Sequence, residues 1–245
     1  MSDCYRSLRE EAWEANLEIP KRNLAIYTWG NVSAFDPDKG IFAIKPSGVP
    51  YESLKAEDMV LVSLEGSVVD SKLKPSSDTE THRILYREFV YLSFGQDVAM
   101  RGITHTHSCY AAAFAQAMRS VPIYGTTHAD HGASGIPCTD LISEEAVKGN
   151  YELETGSLII QTFIKSNIKL LETPMVLVAG HGPFTWGKNA TQSVYHAVVL
   201  EEICKMAHLS LALNPGLEAL PEYIARCHWE RKHGPNAYYG QAKQI

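Results

Sequence analysis

Apolar runs in this 245-residue chain are short, and most of them stop at a glycine or a proline. That excludes a long coiled coil, and it excludes a membrane span of ~18 uninterrupted apolar residues. Short strands and helices joined by tight turns are what remains. Residues 5–19 carry Leu8, Ala12, Ala15 and Ile19 at helical spacing, and Pro20 is expected to end that helix. Residues 24–29 and 41–44 read as strands, and 59–64 with 67–69 read as a hairpin around Glu65-Gly66. Residues 79–93 read as a helix, 98–107 as a strand, 110–118 as a helix and 175–179 as a buried strand. Residues 189–213 read as a long helix with Asn189 as its N-cap, followed by a short helix near 218–227. No repeat or Ser/Gly linker divides the chain, so residues 1–245 are expected to form one α/β domain with a largely antiparallel or mixed sheet.

The formal charge of −6 comes without the basic stripe of a dedicated nucleic-acid binder. Residues 1–20 are charged and helical in period, unlike a signal peptide, so a cytoplasmic protein with no membrane partner is expected. Cys4, Cys109, Cys138, Cys204 and Cys227 are scattered, with no C-x-x-C, and read as reduced thiols.

Three groups of residues carry chemistry. His105 and His107 lie two apart on an expected strand, where side chains share a face, so both imidazoles can address one ion. His181 follows another strand end and Asp78 could add an oxygen. Three imidazoles and a carboxylate suit Zn²⁺, or less selectively Mn²⁺ or Co²⁺. On spacing alone, ordinary strand and loop histidines remain an equal reading. Second, Gly30-Asn31-Val32-Ser33, Lys45-Pro46-Ser47-Gly48 and Lys74-Pro75-Ser76-Ser77 are turns whose N–H and hydroxyl groups could nest an anion, with Lys45 adding charge. Ser76 and Ser77 precede a helix, whose N-terminus favours an anion. Plain surface turns are the competing reading. Residues 182–189 approach the Walker A spacing, but Asn189 replaces the metal-holding Ser/Thr, and Phe184 and Trp186 are too bulky for such a loop. Third, Asp130 lies in a cluster with His128 and His131, and the tail carries His228, Tyr238 and Tyr239, candidates for proton transfer or for packing.

Taken in order, these segments resemble one family. They are Thr28-Trp29-Gly30-Asn31-Val32-Ser33-Ala34, Lys45-Pro46-Ser47-Gly48-Val49, Lys74-Pro75-Ser76-Ser77-Asp78-Thr79, His105-Thr106-His107-Ser108 and Gly125-Thr126-Thr127-His128-Ala129-Asp130. His181-Gly182-Pro183-Phe184, Arg231-Lys232-His233-Gly234 and Ala237-Tyr238-Tyr239-Gly240-Gln241 complete the set. The chain resembles the L-ribulose-5-phosphate 4-epimerases of the class II aldolase/epimerase superfamily over nearly its whole length. The resemblance implies a single three-layer α/β/α domain with a central, mainly antiparallel sheet. It also implies a homotetramer with active sites at subunit contacts. It implies a zinc-type metal at His105, His107 and His181, with Asp78 also at a metal position. Substrate and phosphate contacts fall on Gly30, Asn31, Ser47, Gly48, Ser76 and Ser77, with Lys45 nearby. Asp130 and Tyr239 match the acid/base pair, at least one of them from a neighbouring subunit, and His228 matches a supporting histidine.

The implied reaction interconverts L-ribulose 5-phosphate and D-xylulose 5-phosphate, a step on which arabinose, ascorbate and gulonate catabolism converge. The pattern departs at His131-Gly132-Ala133-Ser134, where the epimerases usually carry aromatic residues, so the wall beside Asp130 is changed. The alternatives are a sugar-phosphate aldolase of the L-fuculose-1-phosphate type, which places a glutamate where Asp78 stands, and a non-catalytic superfamily domain without the metal set.

Overall fold

The computed structural model describes residues 4–93, 99–235 and 237–238. Seven strands form one sheet: β1 (Asn31–Asp36), β2 (Ile41–Ile44), β3 (Val60–Ser63), β4 (Val68–Asp70), β5 (Gly102–His105), β6 (Met175–Leu177) and β7 (Pro183–Gly187), in the order β4-β3-β2-β1-β5-β7-β6. All six pairings are antiparallel. The helices are α1 (Arg6–Lys21), α2 (Thr79–Leu92), α3 (Cys109–Gln116), α4 (Thr126–Ala129), α5 (Glu144–Lys148), α6 (Tyr151–Lys165), α7 (Ala190–Leu213) and α8 (Glu222–His233). Among the described residues no helix is long and apolar enough to cross a membrane.

Both faces of the sheet are covered. Val32, Ala34, Ile41, Ala43 and Leu61 face α1 and the start of α7. Phe35, Phe42, Ile44, Val60, Val62 and Ile103 point the other way, onto Leu85, Tyr86 and Phe89 of α2 and Ile159 and Phe163 of α6. Successive residues of a strand alternate faces, so a sheet buried on both sides reads as a continuous apolar run. Helices on both faces make three layers. A third cluster seats α3 and the middle of α7 against Met175 and Leu177 of β6.

Several expectations need correction. Pro20 does not end α1. It occupies the last turn, and the stop comes from Asn23 in the left-handed region at φ 58°. Leu24 N–H donates to Ile19 O at 2.9 Å and Asn23 N–H to Pro20 O at 3.0 Å, a Schellman closure sealed by buried Leu24. Residues 24–29 are not a strand. Tyr27 turns the chain at φ 54° and Ile26, Tyr27 and Trp29 are exposed, so the strand starts only at Asn31. Asn31–Ser33 therefore lie within β1, not in a turn. β5 stops at His105, and the expected α8 runs further than 227, through His228 to His233. α4, α5, α6 and β7 were not anticipated.

One interaction explains how the sheet opens. The β1–β2 ladder ends at Ser33↔Ile44, because β2 then turns away at Lys45. Val32 would lose its partners on that side, but the Asn16 amide of α1 replaces them. Its Nδ2 donates to Val32 O and its Oδ1 accepts from Val32 N–H, both at 2.8 Å in a fully buried setting. Asn16→Leu keeps the branching at Cγ, with bulkier methyl groups, and leaves both backbone groups unpaired, so denaturant unfolding should show a loss of about 2–6 kcal/mol, from ~1–3 kcal/mol for each of two buried unsatisfied groups.

Candidate metal centre and substrate cleft

β5 is an interior strand of the sheet, flanked by β1 and β7, and its last residue carries the first imidazole. His105 is 1% exposed and stacks on Phe184, its register partner on β7, with ring centroids 4.3 Å apart. Its Nδ1 lies 2.9 Å from Pro183 O. A carbonyl can only accept, so Nδ1 carries the proton and Nε2 is bare. That Nε2 faces His107 Nε2 at 3.2 Å. His107 lies beyond the strand, in the turn before α3, yet is directed to the same point. His181, in the turn between β6 and β7, completes the group, with its ring 4.7 Å from His105 and 5.1 Å from His107. The three ligand atoms lie within 4.8 Å of one another.

Burial pushes all three imidazoles below their ordinary range, so they are neutral at pH 7, the form that binds metal. The donor set fits a divalent cation. Bonds of ~2.0–2.1 Å to a tetrahedral Zn²⁺ would space two nitrogens about 3.3 Å apart, close to the His105–His107 separation. Asp78 is not one of the three mutually close ligands but lines the same cleft. Its Oδ2 accepts from Asn31 Nδ2 at 2.7 Å. Burial pushes the Asp78 carboxyl up, yet His105, His82, His181 and the Asn31 hydrogen bond outweigh it and hold the group below its ordinary value.

The imidazoles open onto a cleft of about 340 Å³, within the ~300–1,000 Å³ of small-molecule sites. Every candidate substrate residue lines it: Gly30, Asn31, Lys45, Ser47, Gly48, Ser76 and Ser77. Two Lys-Pro-Ser turns build this wall by pairing with each other. Ser47 N–H donates to Lys74 O and Ser76 N–H to Lys45 O, both at 3.0 Å, around a Pro46↔Pro75 bridge. The pairing sets Ser47-Gly48 beside Ser76-Ser77 at the start of α2. Lys45 is 2% exposed, and burial holds its ammonium down to about 8. Its Nζ lies 4.9 Å over the Tyr51 ring, and among the described residues no carboxylate pairs with it. Thr28 and Trp29 also line the cleft, and sequence reading gave them no separate role.

Asp130 is elsewhere in the chain. It caps the C-terminus of α4 and is held by α8. Arg231 donates through Nε to Oδ1 at 3.0 Å and through a terminal nitrogen to Oδ2 at 2.7 Å. His228 Nδ1 lies 3.1 Å from Oδ1 and Lys232 Nζ 3.4 Å from Oδ2. Burial alone would raise the Asp130 carboxyl. The hydrogen bonds of Arg231 and His228, with the charge of Lys232, bring it below its ordinary value and keep it ionised. Neither Asp130 nor His228 lines the cleft of its own chain. Tyr239 lies outside the described residues. In the segment after Asp130, His131 sits edge-on to Tyr195, with Nε2 3.2 Å from the hydroxyl, so α7 returns an aromatic ring to that wall.

Residues 10–208 match the class II aldolase and adducin N-terminal domain. The L-ribulose-5-phosphate 4-epimerases UlaF of Salmonella paratyphi A and of Salmonella typhi are each 48% identical over 236 residues, 96% of this chain and 99% of theirs. Among solved structures, an L-fuculose 1-phosphate aldolase superposes with a TM-score of 0.72 at 23% identity, covering 92% of this chain and 95% of that one. YgbL of Klebsiella pneumoniae, titled a putative aldolase/epimerase/decarboxylase, gives 0.65 at 22% identity, covering 90% and 97%. At these identities the structures speak for a shared fold.

The imidazole set generates a direct expectation. Replacing His105 and His107 together by alanine should abolish stoichiometric binding of Zn²⁺ or Co²⁺, read by equilibrium dialysis with elemental analysis. Metal retained at one equivalent would refute the cluster.

Proposed function

The chain belongs to the family of class II aldolase and adducin N-terminal domains, and from that premise we propose that it interconverts L-ribulose 5-phosphate and D-xylulose 5-phosphate. The observation that carries this reading is three neutral imidazoles converging at the mouth of a cleft edged by Ser47, Gly48, Ser76, Ser77 and Lys45. The 48% identity to L-ribulose-5-phosphate 4-epimerases supports the choice of substrate.

The chemistry explains why such a site is needed. The C4 hydrogen of a 2-ketose is not adjacent to the carbonyl, so removing and returning it is a poor route to inversion. Breaking C3–C4 is better. A base takes the C4 hydroxyl proton, and the bond pair passes to the C2–C3 fragment as an enediolate. The other fragment, glycolaldehyde phosphate, rotates and is attacked on its opposite face.

His105, His107 and His181 would hold a divalent ion, with Asp78 as the neighbouring carboxylate. Zn²⁺ is the proposed ion, and Mn²⁺ or Co²⁺ could replace it. When bound, it supplies Lewis-acid stabilisation, worth several kcal/mol, of the negative charge that develops on substrate oxygens. The paired Lys-Pro-Ser turns bind the phosphate through Ser47, Gly48, Ser76 and Ser77, and Lys45 adds charge. Retaining the phosphate keeps the aldehyde from leaving while its carbonyl turns. Asn31 Oδ1 is buried without a hydrogen-bond partner, which suits a substrate hydroxyl donor beside Gly30. Asp130 and Tyr239 are the proposed proton carriers, one for each face of the aldehyde, with His228 and Arg231 orienting Asp130. Because Asp130 does not line the cleft of its own chain, we assign it to the cleft of a neighbouring copy in a homotetramer. The proposed setting is the cytoplasm, in pentose catabolism such as that of arabinose.

The decisive experiment is a coupled assay for D-xylulose 5-phosphate formed from L-ribulose 5-phosphate, with free aldehyde trapped in parallel. Epimer should form with little free aldehyde, vanish on chelation and return with Zn²⁺ or Mn²⁺. Steady aldehyde release without epimer would make the protein an aldolase.

Lys45 yields a pH expectation. Its folded value is depressed to about 8, so the cation that attracts phosphate is present below that pH and lost above it. Since kcat/KM reports the free enzyme, it should fall as pH rises through about 8. Lys45→Met should flatten this limb and raise KM ~10-fold or more. An unchanged alkaline limb in that variant would assign it to another group.

A further inference from the structure

Each imidazole of a metal set must present one particular nitrogen, and a partner at the other nitrogen decides which. Pro183 O does this for His105. For His181 the partner is Tyr151, whose hydroxyl lies 3.4 Å from His181 Nδ1, with ring centroids 6.1 Å apart. Tyr151 is not among the described residues that line the cleft, whereas His181 is.

The tyrosine is held by a rigid frame. It is the first residue of α6, whose N-cap Asn150 accepts from Leu153 N–H at 3.1 Å. Thr155 Oγ1 donates to Tyr151 O at 2.8 Å, and Thr81 Oγ1 of α2 donates to Glu152 O at 2.6 Å. One turn further, Gly156 lets α6 approach α2, since a Cβ there would meet Ile84 Cβ at 3.1 Å. α2 is the helix that begins after Asp78. The frame that places Asp78 thus also places the Tyr151 hydroxyl.

We propose that Tyr151 is a positioning residue: it accepts the Nδ1 proton of His181 and so turns the bare Nε2 toward His105 and His107. This rests on the reading that the three imidazoles bind a divalent ion. A neutral imidazole carries one proton. When a cation takes Nε2, Nδ1 must hold that proton, and a phenol oxygen can accept it where a phenyl ring cannot. Loss of such outer partners typically weakens metal binding ~10–100-fold.

The test compares wild type with Tyr151→Phe, using Co²⁺ and Zn²⁺ in chelator competition, the visible spectrum of the Co²⁺ protein and the melting temperature of the metal-free protein. Support is metal affinity ~10-fold or more lower, with altered Co²⁺ bands and an unchanged metal-free melt. Equal affinity with equal bands overturns the proposal, and so does a lower melt with affinity retained, which would make Tyr151 structural only. Long-range ¹H–¹⁵N spectra of the metal-free wild type give a reading that does not depend on the variant folding. A His181 protonated at Nδ1 supports the proposal, and one protonated at Nε2 overturns it. If wild type takes up no stoichiometric Co²⁺, or takes it equally as His181→Ala, the metal reading itself fails and this inference falls with it.

Discussion

The carbonyl at the end of β5 leaves no room for a side chain on the turns pressed against it. Gly30 stands at φ 83°, and a Cβ there would lie 2.7 Å from His105 O. On the other flank, a Cβ on Gly182 would lie 2.8 Å from Thr106 O. Two turns, one entering β1 and one joining β6 to β7, therefore close on the same strand end as bare backbone. One brings Gly30 and Asn31 to the cleft and the other brings His181. The three imidazoles converge where backbone packs on backbone at this strand end. A site already formed loses less ordering entropy when its ligand arrives.

The rest of the scaffold sets the site's charge. β5 lies between β1 and β7 in a sheet covered on both faces, so an imidazole at its end is desolvated and neutral. Of the described residues lining the cleft, Asp78 is the one carboxylate and Lys45 the one buried ammonium, and they form no ion pair with each other. Among the described residues neither has a Lys, Arg or carboxylate ion-pair partner. That is costly for a structural position and useful for a site that must accept a cation and an anionic ester together. Burial strengthens both attractions by excluding water.

What could be read in the sequence followed from where burial leaves a periodic trace. α1 carries a long amphipathic pattern and α7 a long apolar one behind the Asn189 cap, and their expected spans differ from the observed ones by a residue or two. The cleft residues were legible because turn chemistry is local: glycine, proline and serine mark Gly30, Ser47, Gly48, Ser76 and Ser77 whatever packs around them. β1 was displaced because Ile26, Tyr27 and Trp29 look like strand residues but are exposed around a left-handed turn. β7 was hidden because its five residues are all buried, so nothing alternates, and its first is a proline, tolerated at a strand start. α6 did leave a trace, with Thr155, Ile159 and Phe163 four apart after the Asn150 cap. Tyr151 left none, since a hydroxyl meeting a histidine thirty residues away is a product of the α2–α6 packing.

The separation between Asp130 and the imidazole cleft bears on the proposed reaction. Inverting a carbon by cleavage and rejoining needs proton carriers on two faces of the aldehyde, both clear of the phosphate and metal contacts. Asp78 stands beside the imidazoles as the carboxylate of the cleft, with Asn31 donating to its Oδ2. Asp130 is held by Arg231 and His228 on a separate frame, α4 with α8. In the proposed assembly one chain supplies phosphate and metal ligands while its neighbour supplies the proton carriers. The two sets can then face each other across the substrate, which a single wall of one chain does not allow. The aldehyde turns between them, tethered by its phosphate. An aldolase has no use for that tether once the bond is broken, whereas an epimerase depends on it to return the same fragment.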